Sequence, residues 1–359
     1  MRGWNGISTV PLISTPVVRE KGLKAFRSIS STTSANTTTF PQGRRYLGTT
    51  DRFDQPKMAT IPSLQLNDGN KIPILAYGTG TAWLKRAPGD LDQSLIASIK
   101  TAIDVGYHHL DGAEMYNTER ELGVAIKESG VPREKLFVTT KLHDGLSASI
   151  SDIRGALDAS LKRLGLEYVD LYLIHSPFFA KSPSDLQSAW REMEAVKKAG
   201  KARSIGVSNF LPSHLESILQ TATIVPAVNQ VEYHPYLQHS AKASDGTDFL
   251  SFHKKHGIAL ASYGPLTPII RAKGGPLDPL LERLAKKYGV GEGEVLLRWV
   301  IDRGAVGVTT SSKQERLKQY LSILNFELTS DEVEEIAKVG GEKHVRNFWQ
   351  KHYGEGDRS

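Results

Sequence analysis

The 359-residue chain contains no cysteine, which excludes a disulfide framework, a zinc ribbon and a thiol nucleophile together. No apolar run approaches the roughly 20 residues of a membrane-spanning helix, so no membrane partner is expected. Metal-ligand spacing is missing as well. The adjacent pair His108-His109 points to opposite faces if it lies in a strand, which argues against a metal-dependent hydrolase and predicts no metal site.

Acidic residues are scarce in one place. Of 45 basic and 39 acidic side chains, residues 1–57 hold nine and three, leaving 36 of each in the remainder. The net charge of +6 therefore belongs to the N-terminal stretch, and the body is neutral. That removes the electrostatic support for nucleic-acid binding. The stretch is rich in Arg, Ser and Thr, and Ser30 to Thr39 is a low-complexity tract unable to bury a core. Two readings stand: a mitochondrial transit peptide, or a disordered extension ahead of a start at Met58. Localisation is accordingly cytoplasmic or mitochondrial, and the folded domain is expected over 58–359.

With 39% hydrophobic and 23% charged residues, that region has the composition of an ordinary globular domain. It opens with Leu64-Gln-Leu-Asn-Asp-Gly-Asn-Lys-Ile-Pro-Ile-Leu75, apolar alternation around a turn signal that predicts a β-hairpin. Strand-like and helix-like segments then alternate. The predicted strands are Ile74–Tyr77, His108–Asp111, Leu136–Thr140, Tyr168–His175, Ala202–Val207, Ala227–Glu232, Ile258–Tyr263 and Val306–Thr309. The predicted helices are Leu91–Val105, Glu119–Ser129, Ile150–Leu164, Ser184–Ala199, Leu211–Gln220, Asp248–His256, Asp278–Tyr288 and Arg316–Leu324. Asp278-Pro279 is taken as an N-cap with proline at the first helical position, and a further helix is predicted over Gly291–Asp302.

Eight β-then-α units over roughly 250 residues predict a closed (β/α)8 barrel, carrying the N-terminal hairpin and a C-terminal tail near the barrel mouth. A doubly wound sheet is the runner-up, but Gly78-Thr79-Gly80-Thr81-Ala82-Trp83 lacks the third glycine of a dinucleotide-binding turn. The tail holds Phe348, Trp349 and Tyr353, which either lie over the mouth or serve as surface packing.

Chemistry gathers at strand ends in such folds. Asp111 ends one predicted strand and Tyr116 follows in the next loop. Lys141 closes Lys135-Leu-Phe-Val-Thr-Thr-Lys141, 30 positions on, and His175 closes Tyr168-Val-Asp-Leu-Tyr-Leu-Ile-His175 after another 34. One βα unit takes about 30 residues, so the three strand ends recur at its period. Each residue has an ordinary structural explanation alone; at one period and on one face, they predict a site. A phenol titrates near pH 10. A neighbouring ammonium lowers that value, an aspartate orients the ammonium, and a histidine fixes a carbonyl oxygen. No side chain delivers hydride, so a nicotinamide is implied.

Three motifs carry a resemblance. They are Gly106-Tyr-His-His-Leu-Asp111-Gly-Ala with Glu119-x-x-Leu-Gly123, Asp170-Leu-Tyr-Leu-Ile-His-Ser-Pro177, and Ser204-Ile-Gly-Val-Ser-Asn-Phe210. Across about residues 61–355 the chain resembles the aldo-keto reductase superfamily. The resemblance implies a (β/α)8 barrel that binds an extended NADPH and reduces a small-molecule carbonyl. It implies that Tyr116 is the proton donor, that Lys141 with Asp111 depresses its pKa, and that His175 positions the substrate. Ser208, Asn209 and Gln230 match the nicotinamide-carboxamide ligands, and Tyr263 the aromatic that stacks on the ring. Gly78, Thr79, Pro265 and Leu266 complete the cofactor set on that side.

The departures are informative. Where the family has Lys-Ser and later Arg near the adenosine 2′-phosphate, this chain has Thr310 and Ser311, then Ser312, Lys313 and a retained Arg316. NADPH is the expected cofactor, with NADH as a second. A tryptophan commonly follows the catalytic histidine; here it is Ser176, followed by Pro-Phe-Phe179. That opens one pocket wall and shifts it toward Phe178 and Phe179, with Trp83 on another side. The combination resembles the fungal branch that reduces conjugated polyketones and α-keto amides. A monomer or weak oligomer is expected. The competing function is a non-catalytic nicotinamide-binding subunit, channel-associated or structural.

Overall fold

The computed structural model describes residues 60–143, 150–354 and 356–359; the N-terminal stretch and Met58 lie outside the described residues. Strands β1 (Ser63–Gln65) and β2 (Lys71–Pro73) form the antiparallel hairpin. Its turn is closed by Leu66 N–H donating to Asn70 O at 2.9 Å.

Eight parallel strands follow: β3 (Leu75–Gly78), β4 (His109–Asp111), β5 (Phe137–Leu142), β6 (Val169–Ile174), β7 (Ala202–Ser208), β8 (Val228–Glu232), β9 (Ala259–Tyr263) and β10 (Val306–Thr309). They pair in sequence order, and β10 bonds both β9 and β3, closing the barrel. The closed order overturns the doubly wound alternative.

Alternation builds two cores. In β6, Leu171 and Leu173 join Leu66, Ile72, Val228, Ala261 and Val306 in a cluster that includes the hairpin, while Val169, Tyr172 and Ile174 belong to the larger core shared with the helices. From Leu171 to Ile174 this is the period-two division of a strand with both faces covered; Val169, at the start of the strand, departs from it and joins the larger core. Burial of each large apolar side chain stabilises the fold by roughly 1.5–3 kcal/mol.

The helices deliver the chain to the strand starts. Asp92 caps helix Gln93–Val105 by accepting from Ser94 N–H and Leu95 N–H, and Gly106 at φ 114° ends it. Three residues later β4 begins, which sets the position of Asp111. Helix Glu119–Ser129 lies against Leu164, the last residue of helix Ile153–Leu164; a Cβ on Gly123 would sit 2.2 Å from Leu164 O. The glycine of that motif is thus a packing requirement.

Several boundaries differ from the sequence reading. Lys141 lies inside β5, and His175 stands just past β6. Asp278 is the first helical residue, not the cap: Leu277 occupies the cap position, and Asp278 Oδ2 accepts from Gly274 N–H at 2.8 Å. The helix predicted at Arg316–Leu324 is Gln314–Tyr320, finishing in a 3-10 turn over Leu321–Asn325. A short helix at Thr267–Ile270 was not anticipated. Among the described residues no helix is long and apolar enough to cross a membrane.

Candidate active site

Asp111 is the last residue of β4, and Lys141 lies one strand over, two residues beyond the register partner Thr139. From there the lysine reaches back: Nζ donates to Asp111 Oδ1 at 2.7 Å and to Gly112 O at 2.9 Å. Both side chains are enclosed, at 0% and 3% exposure, so the attraction between the two charges is little screened by solvent. Asp111 Oδ2 accepts from Gln230 Nε2 at 2.8 Å. The carboxylate is therefore fixed from two sides.

Tyr116 ends a 3-10 turn, Glu114–Tyr116, terminated by Asn117 at φ 56°. The turn is tied to the preceding loop, since Lys85 N–H donates to Tyr116 O and Asn117 Nδ2 to Lys85 O, each at 3.0 Å. Lys141 Nζ stands 5.1 Å from the Tyr116 ring centre, and Tyr116 Oη lies 3.4 Å from His175 Nε2. Among the described residues His175 Nδ1 has no hydrogen-bond partner.

Burial dominates the proton chemistry. It raises the Tyr116 phenol above its ordinary value of 10.0, although the Lys141 ammonium pulls the other way. The lysine acts in the predicted direction, but desolvation outweighs it in this environment. Burial also works against charge on Lys141, yet the Asp111 carboxylate and the Tyr116 phenol hold its pKa above 10.5. Burial, then the Lys141 charge, push His175 well below 6.5. At neutral pH the cluster is a protonated phenol, an ammonium and a neutral imidazole.

The neighbouring rim is a connected set of amides and hydroxyls. Ser208 Oγ donates to Gln230 O at 2.6 Å; Asn209 Nδ2 donates to His175 O at 2.9 Å and to Ser208 Oγ at 3.0 Å. Tyr263 Oη donates to Asn209 Oδ1 at 2.6 Å. Asn209 adopts φ 62°, a left-handed conformation that asparagine tolerates better than most residues. Tyr263 is only partly buried, whereas Pro265 and Leu266 are enclosed behind it. Thr79 is fully buried, and its N–H and hydroxyl both donate to Asp111 O; Gly78 precedes it at the end of β3.

Beyond β10 the character changes. Ser311 is half-buried, and Ser312, Lys313 and Arg316 are exposed. Thr310 Oγ1 is buried without a hydrogen-bond partner among the described residues. Among the described residues neither Lys313 nor Arg316 forms an ion pair. With the half-open Tyr263 ring and the Asn209 and Gln230 amides, these groups fit a dinucleotide that has a planar head and an anionic tail.

The substrate side is built differently from the sequence expectation. Ser176 is fully buried, and its Oγ accepts from Phe178 N–H at 3.3 Å. Phe179 packs on the main core. Phe178 is half-buried and stacks on His352 at 3.8 Å with the planes 3° apart. The tail supplies the remaining wall. Trp349, at φ 59°, sets its ring 5.9 Å from His175 and 5.4 Å from Phe178. A left-handed tryptophan costs about 1–2 kcal/mol, which the two ring contacts help offset. Trp83 is half-buried against the core.

Of the tail aromatics, read as either lying over the mouth or serving as surface packing, Trp349 stands beside His175. One contributor was not singled out from sequence. Gly80 runs so close to the Tyr116 ring that a Cβ there would meet Cζ at 2.9 Å; its glycine pair with Gly78 was the available signal.

With this geometry in place, the comparisons with known proteins are direct. A sequence profile described as the aldo/keto reductase family matches residues 75–340. The NAD/NADP-dependent indole-3-acetaldehyde reductase of Schizosaccharomyces pombe is 40% identical over 288 residues, covering 80% of this chain and 98% of that protein. The NADPH-dependent alpha-keto amide reductase of Saccharomyces cerevisiae is 39% identical over 300 residues, covering 80% and 94%. The crystal structure of Bombyx mori aldo-keto reductase in complex with NADP superposes with a TM-score of 0.68 at 35% identity, covering 78% of this chain and 93% of that one. The chain belongs to the aldo/keto reductase family.

Proposed function

We propose that the protein reduces α-dicarbonyl or conjugated keto compounds to alcohols with NADPH, Tyr116 serving as the proton donor. The observation that carries this reading is the placement of the Tyr116 hydroxyl between two different aids, His175 Nε2 at 3.4 Å and the Lys141 ammonium 5.1 Å from its ring centre. An oxygen seated between Tyr116 and His175 meets two donors, provided that the neutral imidazole carries its proton on Nε2.

When bound, the nicotinamide supplies hydride to the carbonyl carbon. Tyr116 gives its proton to the oxygen as charge develops there. Lys141 stabilises the resulting phenolate, and Asp111 keeps that ammonium charged and aimed. His175 orients the oxygen without titrating. Tyr263 would offer a flat surface to the nicotinamide, and Ser208, Asn209 and Gln230 would hold its carboxamide. Lys313 and Arg316, with Thr310, Ser311 and Ser312, would hold the 2′-phosphate. Gly78, Thr79, Pro265 and Leu266 would shape the site between them.

The substrate class rests on the pocket walls. Phe178 and Trp349 present aromatic surface beside His175, which suits a flat conjugated dicarbonyl. The names of the two yeast relatives, an indole-3-acetaldehyde reductase and an alpha-keto amide reductase, agree with a pocket of that kind.

The test follows loss of reduced-nicotinamide absorbance by the full chain, with NADPH and NADH in turn. The carbonyls are a simple aldehyde, an α-keto lactone, an α-keto amide and a conjugated diketone. Fastest turnover on the dicarbonyls with NADPH is expected. Tight NADPH binding with no turnover on any of the four would sink the proposal.

A further inference from the structure

The C-terminal strap is anchored at several points, with Val345 N–H donating to Tyr236 O and Lys343 Nζ to Ala272 O, each at 3.1 Å, and one enclosed anchor is a carboxylate. Glu232, the last residue of β8, is 1% exposed. Its Oε1 accepts from Asn347 N–H at 2.9 Å and Asn347 Nδ2 at 3.2 Å; its Oε2 accepts from Phe348 N–H at 3.1 Å. His234 Nε2, 3.2 Å from Oε1, adds a further partner. The second Nδ2 hydrogen of Asn347 goes elsewhere, to Thr267 Oγ1 at 3.1 Å. One side-chain amide thus bridges a barrel strand and the loop after β9.

The two ends of that bridge serve different halves of the site. Thr267 follows Tyr263, Pro265 and Leu266, the residues assigned above to the cofactor, and its N–H closes the turn onto Gly264 O at 3.0 Å. Directly after Asn347, Phe348 meets the Tyr263 ring edge-on at 5.3 Å and 84°, and Trp349 stands beside His175. A shift of the 264–270 loop therefore pulls on the residue that places the substrate wall. Buried polar groups resist being left unpaired, so the loop and the strap move together or lose bonds.

We infer that Asn347 is a positioning residue: through its bond to Thr267 it couples occupancy of the cofactor loop to the placement of Trp349 against His175. This rests on the reductase reading, in which 264–270 borders the cofactor. Coupling of this kind is reciprocal, so an ordered cofactor loop favours a formed substrate wall and the reverse.

The experiment uses full-length wild type, Asn347→Ala, Thr267→Val and the double variant. Asn347→Ala keeps the backbone N–H on Glu232, and Thr267→Val keeps nearly the same shape, so folding is preserved in at least one arm and is checked by thermal melting. Amide hydrogen exchange of residues 343–354 is measured with and without NADPH, together with kcat and KM for a diketone. In wild type NADPH slows exchange of the strap by about fivefold or more, and each variant loses that protection. KM rises about tenfold in each variant while kcat stays within about threefold. The double variant matches Asn347→Ala, because the bond to Thr267 is already lost there, along with the 3.2 Å bond to Glu232 Oε1. Equal protection in all four proteins, additive KM losses, or a fall in kcat at constant KM would overturn the inference. No protection of wild type by NADPH overturns it even where turnover is normal. Absent turnover with protection intact contradicts the reductase reading alone.

Discussion

Lys141 and Asp111 form a fully enclosed ion pair, Nζ to Oδ1 2.7 Å, and that pair stands under the ring of Tyr116. Its two members have unequal roles, since the carboxylate holds the ammonium and the ammonium faces the phenol. Lys141→Met should leave a buried carboxylate without its cation and cost about 3–5 kcal/mol of stability. Lys141→Met with Asp111→Leu should recover most of that stability and none of the turnover. Chemical denaturation and steady-state kinetics on the two proteins separate the effects, and recovered turnover in the double variant would contradict the assigned role of the lysine.

The pH profile of carbonyl reduction follows from two shifts. Burial raises the Tyr116 phenol, and burial with the Lys141 charge depresses His175. With Tyr116 as the proposed proton donor the protonated phenol is the active form, so rate is retained below its pKa and lost as pH rises through it. Histidine adds no step near its ordinary value. The expected profile is flat from about pH 6 to about pH 9 and falls only on the alkaline side. A step in either direction near pH 6.5 would show that His175 titrates in the reaction.

Cofactor choice depends on exposed charge. Lys313 and Arg316 are open to solvent and form no ion pair among the described residues, so their attraction for a phosphate is screened by salt. Arg316→Ala should weaken NADPH binding about tenfold and leave NADH within about twofold, because only the phosphate distinguishes the two. Thr310→Lys should sharpen the preference for NADPH. Cofactor titration at low and high salt reads both variants.

Much of this was legible from spacing. Strands with both faces buried write themselves as short apolar runs, and the period between their ends brought Asp111, Lys141 and His175 to one rim. The limits were physical as well. Where β5 stops depends on bonds to β6, which extend the ladder through Leu142, so Lys141 falls inside the strand. Asp278 has the residues of a cap, but its carboxylate is taken by Gly274 N–H. Trp349 lies in a segment with no period, and long-range contacts place it, among them the bonds from residues 347 and 348 to Glu232 and from Asn347 to Thr267.

Acid should destabilise the barrel through His109. This residue is 1% exposed, bonded to Pro73 O and to Thr139 Oγ1 at 3.1 Å each, and burial lowers its pKa to about 4. The unfolded chain takes up the proton near 6.5, so it binds more protons than the fold between the two values. Stability is full above about pH 6.5 and falls as pH drops toward 4, by roughly 3 kcal/mol from this group. His253 and His239, each also lowered to about 4 by burial, add in the same direction. His109→Gln, melted at pH 7.5 and pH 5, should lose less stability between the two than wild type does; an equal loss would exclude His109 as a source.

The most direct test of the account is Tyr116→Phe in the full chain, with turnover and NADPH affinity measured on the same preparation. The phenol hydroxyl is the proposed proton source, while the groups assigned to the cofactor belong to other residues. The account predicts a fall in kcat of about a hundredfold or more, with NADPH affinity changed by less than about twofold. Turnover equal to wild type would contradict it.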